Sequence, residues 1–96
     1  MAKKDIDTKA NERISLFRLL ADRNRYRVIE FLMRAKTGES VGELAEVLDM
    51  SHSSVSHLLA VLHDAGIVSY KKKGREAYYE IDKTPQAKRI ARLLRI

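Results

Sequence analysis

The sequence contains no cysteine and a single proline among its 96 residues. Without cysteine the chain can form no disulfide, offers no thiolate to a metal ion and cannot sense oxidants through a thiol. No apolar run approaches the roughly 18 residues that span a bilayer. The opening segment MAKKDIDTKANE also lacks the apolar stretch of a secretion signal. We therefore expect a cytoplasmic protein without a membrane segment.

Positive charge is what the chain has in excess. Lysine and arginine number 19 against 13 acidic residues, which gives a net charge of +6. A small basic protein favours polyanions, either nucleic acid or an anionic membrane surface. The plain alternative is a solvated basic face with no partner. Hydrophobic residues at 45% and this length indicate one globular domain, of a size that often gains stability by pairing.

Two helices open the predicted domain, which covers residues 9–96 after a flexible polar N-terminus at 1–8. The first helix runs from about Lys9 to Ala21 and carries apolar residues on two sides, so it has two surfaces to bury. Asp22 is a typical N-cap for the second helix, which continues to about Lys36. Gly38 is predicted to end that helix in a left-handed conformation.

A pair of capped helices follows. Ser40 and Glu43 have the spacing of a capping box, in which each side chain accepts from a free amide of the other residue. Ser51 caps the next helix, and Gly66 ends it. These two helices, joined by a short turn at 49–50, have the pattern of a helix-turn-helix.

A β-hairpin and a last helix complete the chain. The segment IVSYKKKGREAYYEI, residues 67–81, alternates as two strands with Gly74 in the turn between them. Thr84 and Pro85 then begin the last helix, since proline favours the first helical turn. The order α-α-α-α-β-β-α predicts a mainly α winged helix-turn-helix fold.

The helix after Ser51 contains all three histidines, and its exposed side is predicted from steps of about 100° per residue. No two histidines have the i, i+3 or i+4 spacing that lets a helix share one metal ion, so we expect no metal site. No glycine-flanked nucleophile is present, which argues against a hydrolase and against an enzyme in general. Serine hydroxyls and imidazoles instead suit the edges of bases and phosphates. An ordinary solvated amphipathic helix is the alternative. The candidate DNA contacts of the helix-turn-helix are Ser40, Ser51, His52, Ser53, Ser54, Ser56 and His57.

The hairpin tip is strongly basic. Lys71, Lys72, Lys73 and Arg75 surround Gly74, so the tip could reach along a DNA backbone or into the minor groove. These four cations complete the predicted DNA-binding set. A charged turn that only adds solubility is the alternative.

Two segments resemble the ArsR/SmtB (arsenic-repressor-like) family of winged-helix regulators. LADRNRYRVIEFL, residues 20–32, resembles the segment before that family's helix-turn-helix, and residues 40–81 resemble its recognition helix and wing. The resemblance implies a homodimeric repressor that binds double-stranded DNA at imperfect inverted repeats. By position, it implies that Ser53, Ser54, Ser56 and His57 face the major groove and that Arg75 lies at the wing tip.

The resemblance also implies a dimer interface on the first and last helices, and the sequence supports it independently. The last helix has one apolar side, and the first helix has an apolar side to spare. The alternative is that both helices pack only within their own chain. The predicted interface residues are Ile14, Phe17, Leu20, Ala87, Ile90, Ala91, Leu93 and Leu94.

The chain departs from the family at the known sensor positions. The segment ELAEVLD lacks the cysteine pair that many members use for metals, and the last helix has neither histidine nor acid. We therefore expect no metal and no cofactor, and the effector, operator and regulated genes stay open. His52 stands where glutamine is usual, so base preference should differ. Two further interpretations stay open: a winged helix that binds DNA or protein without base specificity, and a membrane-surface binder through the last helix.

Overall fold

A computed structural model of the protein describes residues 3–95 and confirms the predicted order of helices and strands. Five helices surround one core, and a small antiparallel sheet lies beside the fourth helix. The elements are α1 (Lys3–Ala21), α2 (Arg23–Arg34), β1 (Glu39–Ser40), α3 (Val41–Leu48), α4 (His52–Asp64), β2 (Val68–Lys73), β3 (Glu76–Ile81) and α5 (Pro85–Leu94).

Helix α1 begins at Lys3, well before the predicted start at Lys9. The prediction followed the apolar stripe, which begins only at Ala10. The preceding residues contain neither proline nor glycine, so nothing in them stops the helix from extending. The flexibility expected of residues 1–8 stays a prediction, and Met1 and Ala2 lie outside the described residues.

Helix α2 forms the centre of the core but ends earlier than predicted. Asp22 caps it as expected, since its Oδ1 accepts from the Arg25 amide at 2.9 Å. The helix stops at Arg34, and Ala35 is already extended. Gly38 is not left-handed, which corrects the predicted stop. The glycine instead allows a close approach, because a Cβ there would lie 3.1 Å from the Tyr78 Cβ.

The sheet has three strands in the order β1-β3-β2, all antiparallel. The predicted hairpin is β2 and β3, paired from Val68 opposite Ile81 to Lys73 opposite Glu76. Gly74, at φ +64°, supplies the left-handed turn that joins these strands. Strand β1 was not predicted, because its two residues also form the cap of α3 and are too few to show alternation.

The core lies between α2, α3, α4, the hairpin and α5. Its buried apolar residues come from every one of these elements, so the helix-turn-helix is held by the whole domain. Within residues 3–95, no helix combines the length and the hydropathy that a membrane span requires. The buried apolar residues are Val28, Ile29, Leu32, Leu44, Ala45, Leu48, Val55, Leu59, Leu62, Ile67, Val68, Ala87 and Ile90.

Candidate nucleic-acid interface

Helix α4 has a buried side and an exposed side, as predicted. Val55, Leu59 and Leu62 are completely buried and anchor the helix in the core. The middle of the exposed side consists of Ser56 and Ala60, so another molecule can approach the helix backbone closely. The exposed residues of α4 are His52, Ser53, Ser54, Ser56, His57, Ala60, His63 and Asp64.

Three serines form a hydrogen-bonded group at the start of α4. The Ser51 Oγ accepts from the Ser54 amide at 3.1 Å and donates to the Ser54 Oγ at 2.8 Å. The Ser53 hydroxyl lies 3.3 Å from the same Ser51 oxygen. Ser51 therefore caps the helix as predicted. All three side chains are exposed and retain acceptor capacity for an incoming ligand.

A hydrogen bond from α2 holds the turn between α3 and α4. Asp49 is left-handed at φ 53°, which ends α3 sharply. The Arg27 guanidinium donates from Nη2 to the Leu48 carbonyl oxygen at 2.9 Å. This bond ties the last turn of α3 to the central helix and so helps to fix the angle of α4. This role of Arg27 could not be predicted from the sequence, because a cation on the polar side of a helix gives no indication of its distant acceptor.

The wing is the hairpin β2–β3, and its four cations differ in their surroundings. The Lys71 ammonium lies 3.8 Å from a Glu80 carboxylate oxygen, and that of Lys73 lies 5.9 Å from the centre of the Tyr78 ring. Lys72 and Arg75 take part in no ion pair within the part of the chain that the structure describes. All four side chains are exposed.

An aromatic stack joins the recognition helix to the wing. The His63 ring lies 5.4 Å from that of Tyr70, and the Tyr70 ring lies 5.3 Å from that of Tyr79, both pairs tilted. Burial raises the pKa of the Tyr79 hydroxyl, which fits its position under Tyr70. These contacts restrain the wing relative to the end of α4. The strand alternation of the two tyrosines could be predicted from the sequence, but the contact of Tyr70 with His63 could not.

Ser40 caps α3 and is largely buried, unlike the other residues of the predicted DNA-binding set, and its contact with DNA stays a prediction. Its side chain is buried, and its Oγ accepts from the Glu43 amide at 3.2 Å and donates to the Glu43 Oε1 at 3.0 Å. The Glu43 carboxylate thus bonds the serine hydroxyl, not the serine amide expected of a capping box. A hydrogen bond with Glu43 raises the pKa of the neighbouring Glu39 to about 7, and burial adds to the shift.

A second surface lies on α1 and α5, and only part of the predicted interface is on it. Phe17 is 57% exposed, Leu93 55% and Ile14 44%, which is unusual for large apolar side chains. Ala87 and Ile90 are buried in the chain's own core, which corrects their place in the predicted interface. They point inward because α5 must also close the domain. The remaining predicted residues are partly buried: Leu20, Ala91 and Leu94.

Within residues 3–95, no three histidine, aspartate or glutamate side chains lie close enough to hold one ion. The three histidines are all exposed on α4, at separate positions along it.

The family assignment follows from the region just described. The sequence model of the family described as bacterial regulatory protein, arsR family, matches residues 22–70, which include α2, the helix-turn-helix and the first residues of the wing. The chain belongs to the ArsR family. The resemblance found in the sequence is thereby confirmed.

Individual ArsR-family proteins resemble the chain over most of its length. It is 34% identical over 73 residues to the transcriptional repressor SmtB homolog of Synechocystis sp., covering 76% of the chain but 54% of that protein. The transcriptional repressor SdpR of Bacillus subtilis is 31% identical over 71 residues, covering 73% of the chain and 76% of SdpR. The chain spans about half the length of the Synechocystis relative.

A solved structure supports the fold over nearly the whole chain. The transcriptional regulator HlyU from Vibrio vulnificus superposes with a TM-score of 0.82 at 28% identity, covering 99% of this chain and 96% of that one. These three relatives are named as repressors or regulators, in agreement with the expectation that the chain is not an enzyme.

Proposed function

We propose that the chain is a cytoplasmic, sequence-specific transcriptional repressor that binds double-stranded DNA as a homodimer at an inverted-repeat operator. The observation that carries the proposal is the exposed side of α4, a surface of hydroxyls and imidazoles with a small centre, next to a basic wing. Two of the relatives are named as transcriptional repressors, which supports the same function.

The exposed side of α4 suits the major groove. A helix enters that groove when no bulky side chain holds it away, and the centre of this helix is Ser56 and Ala60. Ser53, Ser56 and His57 can donate to and accept from base edges, so we assign them to base reading. Because Val55, Leu59 and Leu62 are rigidly buried behind them, these polar groups are presented in a fixed arrangement.

The wing supplies contacts that do not depend on sequence. The unpaired side chains of Lys72 and Arg75 are free to approach phosphates, whereas Lys71 and Lys73 already have neighbours within the chain. Each phosphate that a cation neutralises releases counterions, which makes affinity fall as salt rises. The stack of His63, Tyr70 and Tyr79 keeps these cations at a constant position relative to α4.

The α1–α5 surface provides the dimer contact. Ile14, Phe17 and Leu93 are exposed apolar side chains. A hollow of about 160 Å³ between the two helices is lined by Arg13, Leu16, Phe17, Arg89, Ile90 and Leu93. Such a surface is well suited to a second copy of the chain. A twofold dimer would present two α4 helices to DNA, which matches a site with two inverted halves.

A binding selection from a random duplex library, read by sequencing, tests the proposal. Enrichment of an inverted repeat with half-sites about one helical turn apart is the expected result. Retention of DNA without any enriched motif would instead favour a winged helix that binds without base specificity. Failure to retain DNA at low salt would contradict DNA binding altogether.

A further inference from the structure

A cleft separates the start of the recognition helix from the wing tip. Its volume is about 220 Å³, and it is lined by Ser40 and the first residues of α3, by His52 of α4 and by Arg75, Glu76 and Ala77 of the wing. The cleft thus lies between the two elements to which DNA binding is assigned above.

His52 is directed toward this cleft. Its ring rests against the first turn of α3, since a Cβ at Gly42 would lie 3.5 Å from the His52 Cε1 and 3.9 Å from its Nε2. The Cε1–Nε2 edge of the ring therefore lies against α3, beside the cleft that His52 lines. This placement sets His52 apart from Ser56 and His57, which lie on the open side of the helix.

Arg75 approaches the cleft from the other side. It follows Gly74, whose surroundings are open, because a Cβ there would meet nothing within 4 Å. Within residues 3–95, neither Arg75 nor His52 takes part in an ion pair. Glu76 also lines the cleft, and its Oε2 accepts from the Tyr78 hydroxyl at 2.9 Å. Two basic side chains, neither of them in an ion pair within residues 3–95, thus line one hollow.

We propose that this cleft binds a single backbone phosphate of DNA, held jointly by His52 and Arg75. A guanidinium can donate two hydrogen bonds to the free oxygens of a phosphate, and an imidazole N–H can donate a third. Joint binding makes His52 a phosphate contact rather than a base reader, although it stands beside the base-reading residues in the sequence. The proposal rests on the DNA-binding function stated above.

Methylphosphonate scanning tests it on the duplex that the selection yields. Replacing one phosphate at a time by a neutral methylphosphonate should weaken wild-type binding at each contacted phosphate, and in each half-site one of these positions, with an effect of about tenfold, should depend on His52 and Arg75. The double variant His52→Ala, Arg75→Ala should be insensitive at that position. His57→Ala and Lys72→Ala serve as matched controls from the same helix and the same wing, and both should retain the sensitivity. Sensitivity that persists in the double variant at every position would overturn the proposal.

The two side chains should also be coupled in affinity. If both hold one phosphate, the double variant should bind more tightly than the product of the two single losses predicts. Fully additive losses would count against a shared ligand. His52→Ala supplies a second readout, because loss of a phosphate contact leaves the selected base sequence unchanged. A changed motif for His52→Ala would show that His52 reads bases. All these residues are exposed, and circular dichroism verifies that each variant is folded.

Inorganic phosphate could in principle bind in the same cleft through the same two side chains. Titration of the DNA-free protein with millimolar inorganic phosphate, followed on the His52 ring signals by NMR, should give no saturable change. Saturation at low concentration would assign the cleft to a free anion and overturn the DNA assignment. Protein that binds no duplex at all would instead defeat the proposed function, so the two failures are distinguishable.

Discussion

Replacing Phe17 by alanine should weaken self-association without unfolding the chain. Phe17 lies on the outer side of α1, where it is 57% exposed in the single chain. Its loss leaves no cavity in the core, because the core side of α1 is formed by Leu16, Leu19 and Leu20. The variant should therefore affect only what covers Phe17 from outside.

The expected magnitude follows from the exposed area. A phenylalanine side chain presents roughly 200 Å² in all, so 57% exposure leaves about 110 Å² to bury. At about 25 cal/mol per Å² this area contributes about 3 kcal/mol per chain and about 6 kcal/mol for two copies. Those figures are upper limits, since burial is incomplete at an interface rim and alanine retains part of the area. We expect the dissociation constant of the dimer to rise roughly ten- to a thousandfold.

Sedimentation equilibrium over a range of protein concentrations measures this change. Val47→Ala is the matched control, because Val47 is 56% exposed but lies on α3, away from the α1–α5 surface. The control should associate like the wild type. Equal dissociation constants for Phe17→Ala and the wild type, with both folded, would refute the assignment of this surface to the dimer.

Three further changes have expected outcomes. Lys72→Ala should weaken binding to every duplex alike and make the logarithmic salt slope shallower by about 0.9 for each phosphate lost, measured by fluorescence anisotropy; a loss confined to the selected site would contradict this role. Gly66→Ala should lower the free energy of unfolding by about 1–2 kcal/mol in urea, because Gly66 ends α4 at φ +74° and a Cβ would lie 2.6 Å from the Gln86 Nε2. Glu39→Gln should flatten the pH dependence of the free energy of unfolding. A hydrogen bond with Glu43 raises the pKa of Glu39 from 4.5 to about 7 in the folded chain. The stabilisation that protonated Glu39 contributes is therefore complete below pH 4.5 and is lost as the pH rises through 7. The wild type should therefore lose more unfolding free energy between pH 4.5 and 7 than Glu39→Gln does, and an equal loss in both would contradict the assignment.

The sequence predicted the elements whose signals are local. The caps at Asp22, Ser51 and Thr84 were correct, because a capping side chain bonds an amide only a few residues away. The helix end at Gly66 and the hairpin turn at Gly74 were also predicted correctly, since each glycine is left-handed within its own turn. The exposed side of α4 was predictable because one helical period places apolar and polar residues on opposite sides.

Features that depend on distant partners could not be predicted. The sequence pattern predicts a helix stop at Gly38, but in the structure its small size allows the close approach of Tyr78 from β3. The bond from Arg27 to Leu48 and the stack of His63 on Tyr70 both join elements whose separation only the fold defines. The apolar side of α5 was predicted correctly. The pattern could not show which of its residues are buried in the core, as Ala87 and Ile90 are, and which lie on the outer surface.

The affinity of His57→Ala for the selected duplex and for a scrambled one, at one salt concentration, tests the central claim most directly. If the exposed side of α4 reads bases, the variant should lose about 1–3 kcal/mol of binding on the selected duplex and almost none on the scrambled one. Ser56→Ala should behave in the same way. Equal losses on both duplexes would show that this side of α4 contacts only the backbone, and the assignment of base reading to α4 would be wrong.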